Sequence, residues 1–188
     1  MELSDEMLCQ RVADRDEAAF DLLVSRYQER ACRLAWSILR NAEDARDVSQ
    51  EAFIRLYEAA GSFDGRARFS TWVYRILVNL CLDHRRKHRW WRGVLTAGQE
   101  GGSEGSTVDW PAASFEDPVD RLGKEETVKQ IWALVDRLSP QQRAALLLQV
   151  REDLPTSEIA SVLKCSEATV RVHLHRGLAA LRKMLRKG

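Results

Sequence analysis

IASVLKCSEATVRVHLHRGLAALRKML (159–185) reads as a short helix, a three-residue turn and a long helix with a basic end. At about 100° per residue, Val170, Leu174, Leu178, Leu181 and Leu185 fall within one arc of about 80°, the side expected to be buried. The opposite arc holds Ala168, Val172, His175, Arg176, Ala179 and Lys183. Ala160 in the first helix is small enough for the close crossing that a helix-turn-helix requires. In that motif the second helix enters the DNA major groove. Its N-terminal half meets base edges, and flanking Arg and Lys meet phosphates. Ser166 would start this helix, placing Ser166, Thr169, Arg171, Val172, His175 and Arg176 over the groove or its phosphate walls. Val172, alone in the polar arc, suits a thymine methyl; the arginines suit guanine or phosphate. The competing reading is a plain helical hairpin with a solvated Arg face.

Outward from this hairpin, nearly everything has helical period. Ser4 can cap a first helix to about Asp14. Residues 16–39 carry Phe20, Leu23, Tyr27, Ala31, Leu34 and Ile38 at three- and four-residue steps. Asn41 caps a third helix to about Ala59, and Ser70 a fourth that reaches the basic block 84–92 (HRRKHRWWR). From 93 to 118 the text changes to Gly, Ser, Pro, Asp and Glu, the composition of a flexible acidic linker. Helices resume at about Arg121, and Ser139-Pro140-Gln141-Gln142 is a strong start signal: a capping Ser, Pro at the first helical position and Gln three residues after the cap. No stretch alternates as a strand. The expectation is an all-α protein of two small helical domains, a four-helix unit and a helix-turn-helix unit.

The fourth helix is apolar over most of its circumference, through Val73, Tyr74, Ile76, Leu77, Val78, Leu80 and Cys81. Only Trp72, Arg75, Asn79, Asp83 and Arg86 form a polar stripe, read here as an opening in a central helix. Aromatic, Arg and Asn side chains in one line suit unpaired bases, with the run 85–92 on adjacent phosphates. A buried helix with incidental rim polars is the alternative. The third helix turns Ala45, Val48, Ala52, Phe53 and Leu56 inward. Glu43, Asp47, Gln50, Glu51, Glu58 and the apolar Ile54 lie opposite. An acidic face disfavours DNA, and an apolar centre with a polar rim suggests protein docking; a solvated helix with one stray Ile competes with it.

Composition fits these readings. The 188 residues carry a net charge of only +1, yet 84–92 holds five Arg/Lys and no acid, and 171–188 holds six and no acid. Between them, 93–126 holds eight Asp/Glu against Arg121 and Lys124. Two basic blocks flanking an acidic spacer suggest two contacts with one polyanion. Cys9, Cys32, Cys81 and Cys165 are scattered without a CxxC pair, as expected of buried thiols in a reducing cytoplasm. No signal-peptide core or 18-residue apolar run is present, so no membrane insertion is expected. The chain lacks GxxxxGK[ST], GxGxxG and a nucleophile elbow, so neither an enzyme nor a cofactor is expected. His84 and His88 stand at i,i+4, a spacing that can clamp a metal, but their cationic neighbours assign them to the phosphate side; no metal is expected.

DARDVSQEAFIRLY (44–57), FDGRARFSTWVYRILVNLCLDHRRK (63–87), LSPQQRAALLLQ (138–149) and SEIASVLKCSEATVRVHLHRGLAALRKML (157–185) together resemble an extracytoplasmic-function (ECF) sigma factor of bacterial RNA polymerase. The resemblance covers nearly the whole chain apart from the linker, with the blocks in family order. It implies a region-2 domain over 1–92, a linker over 93–120 and a region-4 helix-turn-helix domain over 121–188. Asp47, Gln50, Glu51 and Ile54 would then dock on the coiled coil of the largest polymerase subunit. Phe63, Asp64, Arg66, Phe69, Trp72, Arg75, Asn79 and Arg86 would take unpaired −10 bases. The terminal hairpin would read the −35 element, and an anti-sigma factor would restrain the protein. Pro155, Lys164, Val172 and His173 depart from the family pattern at a cap, a turn and two recognition positions. A one-component or response-type DNA-binding regulator, the rival class, needs an upstream ligand or phosphoacceptor pocket where this chain has a basic, aromatic-flanked helix.

Overall fold

The computed structural model describes residues 3–96 and 131–185, with side chains as far as 88 in the first stretch and 183 in the second. Regular structure among the described residues is helical: α1 (Asp5–Ala13), α2 (Glu17–Leu39), α3 (Ala42–Ala59), a 3-10 turn (Ala60–Ser62) and α4 (Phe69–Thr96). A helical segment at 131–135 precedes α5 (Pro140–Val150), α6 (Thr156–Leu163) and α7 (Glu167–Leu185).

Four starts follow from local chemistry. The Ser4 hydroxyl accepts from the Met7 amide at 3.2 Å, Asp16 from Ala19 at 3.0 Å and Asn41 from Asp44 at 3.0 Å. Ser139 and Gln142 exchange side-chain and backbone bonds at 3.2 and 3.3 Å, each satisfying an amide that a helix start leaves without a partner. α4 differs from its expected start. It begins at Phe69, with Ser70 inside its first turn and the Trp72 amide bonded to the Arg68 carbonyl. The Phe69 amide points at Glu6 Oε1, 3.5 Å away on α1, an acceptor that no local pattern discloses. The helix also outlasts the basic block and runs to Thr96. The rest of the expected linker and the helix start near Arg121 lie outside the described residues.

α1 to α4 close around Leu8, Val12, Leu23, Leu34, Leu56 and Leu77, all fully buried. Removing such a side chain from water contributes roughly 1.5–3 kcal/mol each. The C-terminal helices bury Leu148, Ile159, Val162 and Val170, and the two sets of buried residues join in one cluster. α6 lies along α4, while α5 touches both α2 and α4.

The joint is built at the C-terminal end of α2, where Arg40 closes the helix in a left-handed conformation (φ 57°). That end has no basic residue in its last turn; the cations come from elsewhere. The Ile38 carbonyl accepts from Arg85 Nη1 of α4 at 2.8 Å and Arg143 Nη1 of α5 at 3.1 Å. Cations there complement the negative end of the helix dipole. Arg143, fully buried, also donates to the Asp136 carbonyl at 2.7 Å. Burial, with Arg85 beside it, lowers its guanidinium to about 10, so it is still a cation at neutral pH. Arg40 lies over Trp36 and Trp132, 4.0 and 4.7 Å from their ring centres.

Candidate nucleic-acid interface

The terminal hairpin forms as its sequence suggests. α6 ends at Lys164 in a left-handed conformation (φ 52°), with the Cys165 amide bonded back to the Ala160 carbonyl at 3.1 Å. The Ser166 hydroxyl accepts from the Thr169 amide at 3.1 Å and lies 2.9 Å from the Thr169 hydroxyl. Ser166, Arg171, Val172, His175 and Arg176 are exposed, and Val172, His175 and Arg176 share a face with Ala179 and Lys183; Thr169 is half-buried. Val172 is 45% exposed. Arg171 is held at 3.1 Å by Glu167 one turn earlier.

The buried line on α7 differs from the expected one. Val170 and Leu174 are buried, but Leu178 is 39% exposed and Gly177 takes the inner position. A side chain at Gly177 would sit 3.8 Å from the Gln142 Cβ and the Leu138 Cδ1. The start of α5 therefore crosses α7 over its glycine, which turns the buried seam one residue away from Leu178.

The stripe on α4 is corrected more substantially. Trp72 is only 5% exposed, and Phe69 is fully buried. Trp72, Phe63 and Phe69 form a mutual aromatic cluster with ring centres 5.2–5.8 Å apart. Tyr27 joins Phe69 at 5.5 Å. Edge-to-face and tilted contacts of this kind pin the loop to the helix. Asn79 gives its amide to the Arg75 carbonyl and to the Val162 carbonyl of α6, the latter at 3.2 Å. Arg75 is half-buried. A projection of α4 alone leaves this stripe open; α6 and the aromatic cluster cover much of it. Asp64, Arg66 and Arg86 are exposed. Asp64 accepts from the Arg66 amide at 3.1 Å, and Arg86 pairs with Asp83 at 2.9 Å.

Two acids that the sequence does not single out make this cover polar. The Glu152 side chain, 7% exposed, meets Arg30 at 2.9 Å and accepts from the Tyr74 hydroxyl. Burial and the adjacent Glu152 raise the Tyr74 phenol well above its usual range, so it remains a donor. Glu158 accepts from the Thr71 hydroxyl and lies 3.7 Å from Arg68. Each pair joins the N-terminal helices to the loop before α6 or to α6 itself. The Arg151 guanidinium adds a bond to the Ser37 hydroxyl at 2.8 Å.

The acidic face of α3 is where its periodicity places it. Ala45, Val48, Ala52, Phe53 and Leu56 are buried; Glu43, Asp47, Gln50 and Glu58 are exposed. Ile54 is 54% exposed, and the half-exposed Glu51 pairs with Arg55 at 2.7 Å. Beside Ile54 a groove of about 760 Å³ opens between α2 and α3, lined by Phe20, Val24, Cys32, Gln50 and Phe53. Sequence reasoning missed the α2 wall of this groove. Phe20 reads as core by spacing, although the structure leaves one side of it open. Burial raises the Cys9 thiol to about 11 and the Cys81 thiol to about 12, so both stay protonated at neutral pH. No described helix is long and apolar enough to cross a membrane.

Comparison with known proteins gives the same two-part division. The Sigma-70 region 2 profile matches residues 23–91, and the Sigma-70, region 4 profile matches residues 129–181. The ECF RNA polymerase sigma factor SigW of Bacillus subtilis is 34% identical over 99% of this chain and 99% of its own. The RNA polymerase sigma-H factor of Pseudomonas aeruginosa is 35% identical over 96% of this chain and 93% of its own. Among solved structures, the sigma factor RpoE of Bartonella quintana, in complex with the anti-sigma factor NepR, matches with a TM-score of 0.68 at 19% identity. That match covers 89% of this chain and 96% of RpoE, and shows a shared fold.

Proposed function

The chain belongs to the ECF sigma factors of the sigma-70 family, and from that premise we propose that it binds core RNA polymerase and directs it to promoters. It acts as a regulator of transcription rather than as an enzyme, in the cytoplasm where the polymerase works. The observation that carries this reading is the match to a factor of this kind along 99% of the chain, with both regions in order.

Asp47, Gln50, Glu51 and Ile54 dock on core polymerase, supported by an acidic rim around an exposed apolar centre. Ser166, Thr169, Arg171, Val172, His175 and Arg176 read the −35 element, supported by the exposed face of α7 behind a capped turn. Phe63, Asp64, Arg66, Phe69, Trp72, Arg75, Asn79 and Arg86 serve the −10 element. Asn79 is bonded to α6 and Trp72 is covered by the Phe63–Phe69 cluster, so for Asn79 to meet a base α6 must leave α4, and for Trp72 the aromatic loop must open. The arrangement described here is therefore a closed state, in which the −10 surface is withheld. Bartonella RpoE was solved with an anti-sigma factor; a partner of that kind, bound to this chain, would keep the factor closed.

Run-off transcription with purified core polymerase on a promoter library tests the function. Ile54→Lys tests the docking face: core binding is lost while helical circular dichroism is unchanged. Undiminished core binding by this variant would overturn the docking assignment.

A further inference from the structure

Where α4 leaves the helical core, three potential metal ligands from two helices converge. His84 and His88 stack with ring centres 4.5 Å apart. From the first turn of α3, Asp44 places Oδ1 3.4 Å from His84 Nε2. One ligand atom from each of the three side chains lies within 4.8 Å of the others. We propose that Asp44, His84 and His88 form a site for a borderline transition-metal ion, with Zn²⁺ as its simplest occupant.

The chemistry of the set favours this class. Two imidazoles and one carboxylate suit Zn²⁺, Cu²⁺ or Ni²⁺, whereas Mg²⁺ and Ca²⁺ prefer sites built from oxygen. Zn–N and Zn–O bonds of about 2.0–2.2 Å require ligand atoms closer together than they stand here. His88 is exposed, so rotation about its side-chain bonds can bring it the remaining distance. Asp44 and His84 are half-buried and already in contact, so two of the three ligands are preset. Three protein ligands leave a fourth position for water.

The neighbouring cations, which argue against a metal when the sequence alone is read, are partly engaged elsewhere. Arg85 is turned inward to the Ile38 carbonyl, and Arg86 is held by Asp83. The ion would bolt the start of α3 to α4 within the first half of the basic block. It would thereby fix the proposed polymerase-docking helix against the proposed DNA-binding one.

The test uses the full chain, stripped with EDTA and then titrated with ZnCl₂. One equivalent of Zn²⁺ binds by calorimetry and raises the melting temperature; MgCl₂ does neither. His88→Ala melts as wild type without metal but binds Zn²⁺ at least tenfold more weakly and loses the shift. Asp44→Asn likewise loses the shift. Co²⁺ substituted for Zn²⁺ gives a weak visible spectrum without a thiolate charge-transfer band. No zinc-dependent shift in the wild type, an equal shift in His88→Ala, or a thiolate band in the Co²⁺ spectrum would each overturn the site.

Discussion

Val172 stands apolar and exposed on α7, in the face that also carries His175 and Arg176. A side chain with no polar atom adds little to general affinity for a polyanion but can prefer one base through its methyl group. Val172→Ser should leave overall −35 affinity nearly unchanged and alter preference at one base pair by about 1 kcal/mol. Arg176→Ala should weaken binding, by about 1–3 kcal/mol where the guanidinium reads a base bidentately. A phosphate contact would instead give a uniform loss, with the salt slope reduced by about one unit. Competition binding of both variants against every single-base change in the −35 site distinguishes these outcomes. If neither variant changes affinity or preference, α7 is a packing element and not a reading head.

At the scale of the element, the hairpin carries two backbone choices that a residue swap can test. Lys164 adopts φ 52° at the turn, a conformation that costs a side-chain-bearing residue about 1 kcal/mol relative to glycine. Lys164→Gly should therefore stabilise the protein by roughly 0.5–1 kcal/mol. Gly177 presents the opposite case: it lies inside a helix, where glycine costs about 0.5–1 kcal/mol relative to Ala. An added Cβ would meet its neighbours at 3.8 Å, ordinary van der Waals contact. Gly177→Ala should stabilise by a similar amount, and the two changes, at separate sites, should add. Urea denaturation with an unchanged m-value checks both. Destabilisation by Gly177→Ala would mean that the α5–α7 crossing is closer than described.

At the scale of the whole molecule, the proposed withholding of the −10 surface rests on the contact between the two helical groups. Glu152 is the element of that contact most open to test, since its buried carboxylate joins Arg30 and Tyr74 across the joint. Hydrogen bonds to a charged group are worth about 1.5–3 kcal/mol each. Glu152→Ala should thus shift the closed–open balance by at least about tenfold, because 1.4 kcal/mol is a factor of ten. The radius of gyration from small-angle scattering should rise, and binding to a single-stranded −10 oligonucleotide should strengthen. Tyr74→Phe, which leaves the Arg30–Glu152 pair in place, should produce a smaller change in the same direction. Unchanged scattering and oligonucleotide binding in Glu152→Ala would show that this contact does not govern exposure of the −10 face.

What the sequence determined by itself is whatever neighbours along one helix decide. Caps at Ser4, Asn41 and Ser139 depend on an oxygen three residues from an amide. The inner face of α3 follows from a period of 3.6. The outer face of α7 is equally local, which is why Val172, His175 and Arg176 are exposed where their spacing places them. Tertiary structure alone decided what lies across from each face. Trp72 and Asn79 project from α4 as the sequence indicates, yet an aromatic loop and α6 lie over them. Leu178 belongs to the apolar arc of α7, but α5 crosses at Gly177 and leaves Leu178 at the rim. The start of α4 at Phe69, the Arg143–Ile38 joint and the approach of Asp44 to His84 and His88 are of the same kind. Each joins residues 40 to 105 positions apart. Periodicity fixes the direction of a side chain relative to its own helix axis; its burial and partners depend on which other helix the core places opposite it.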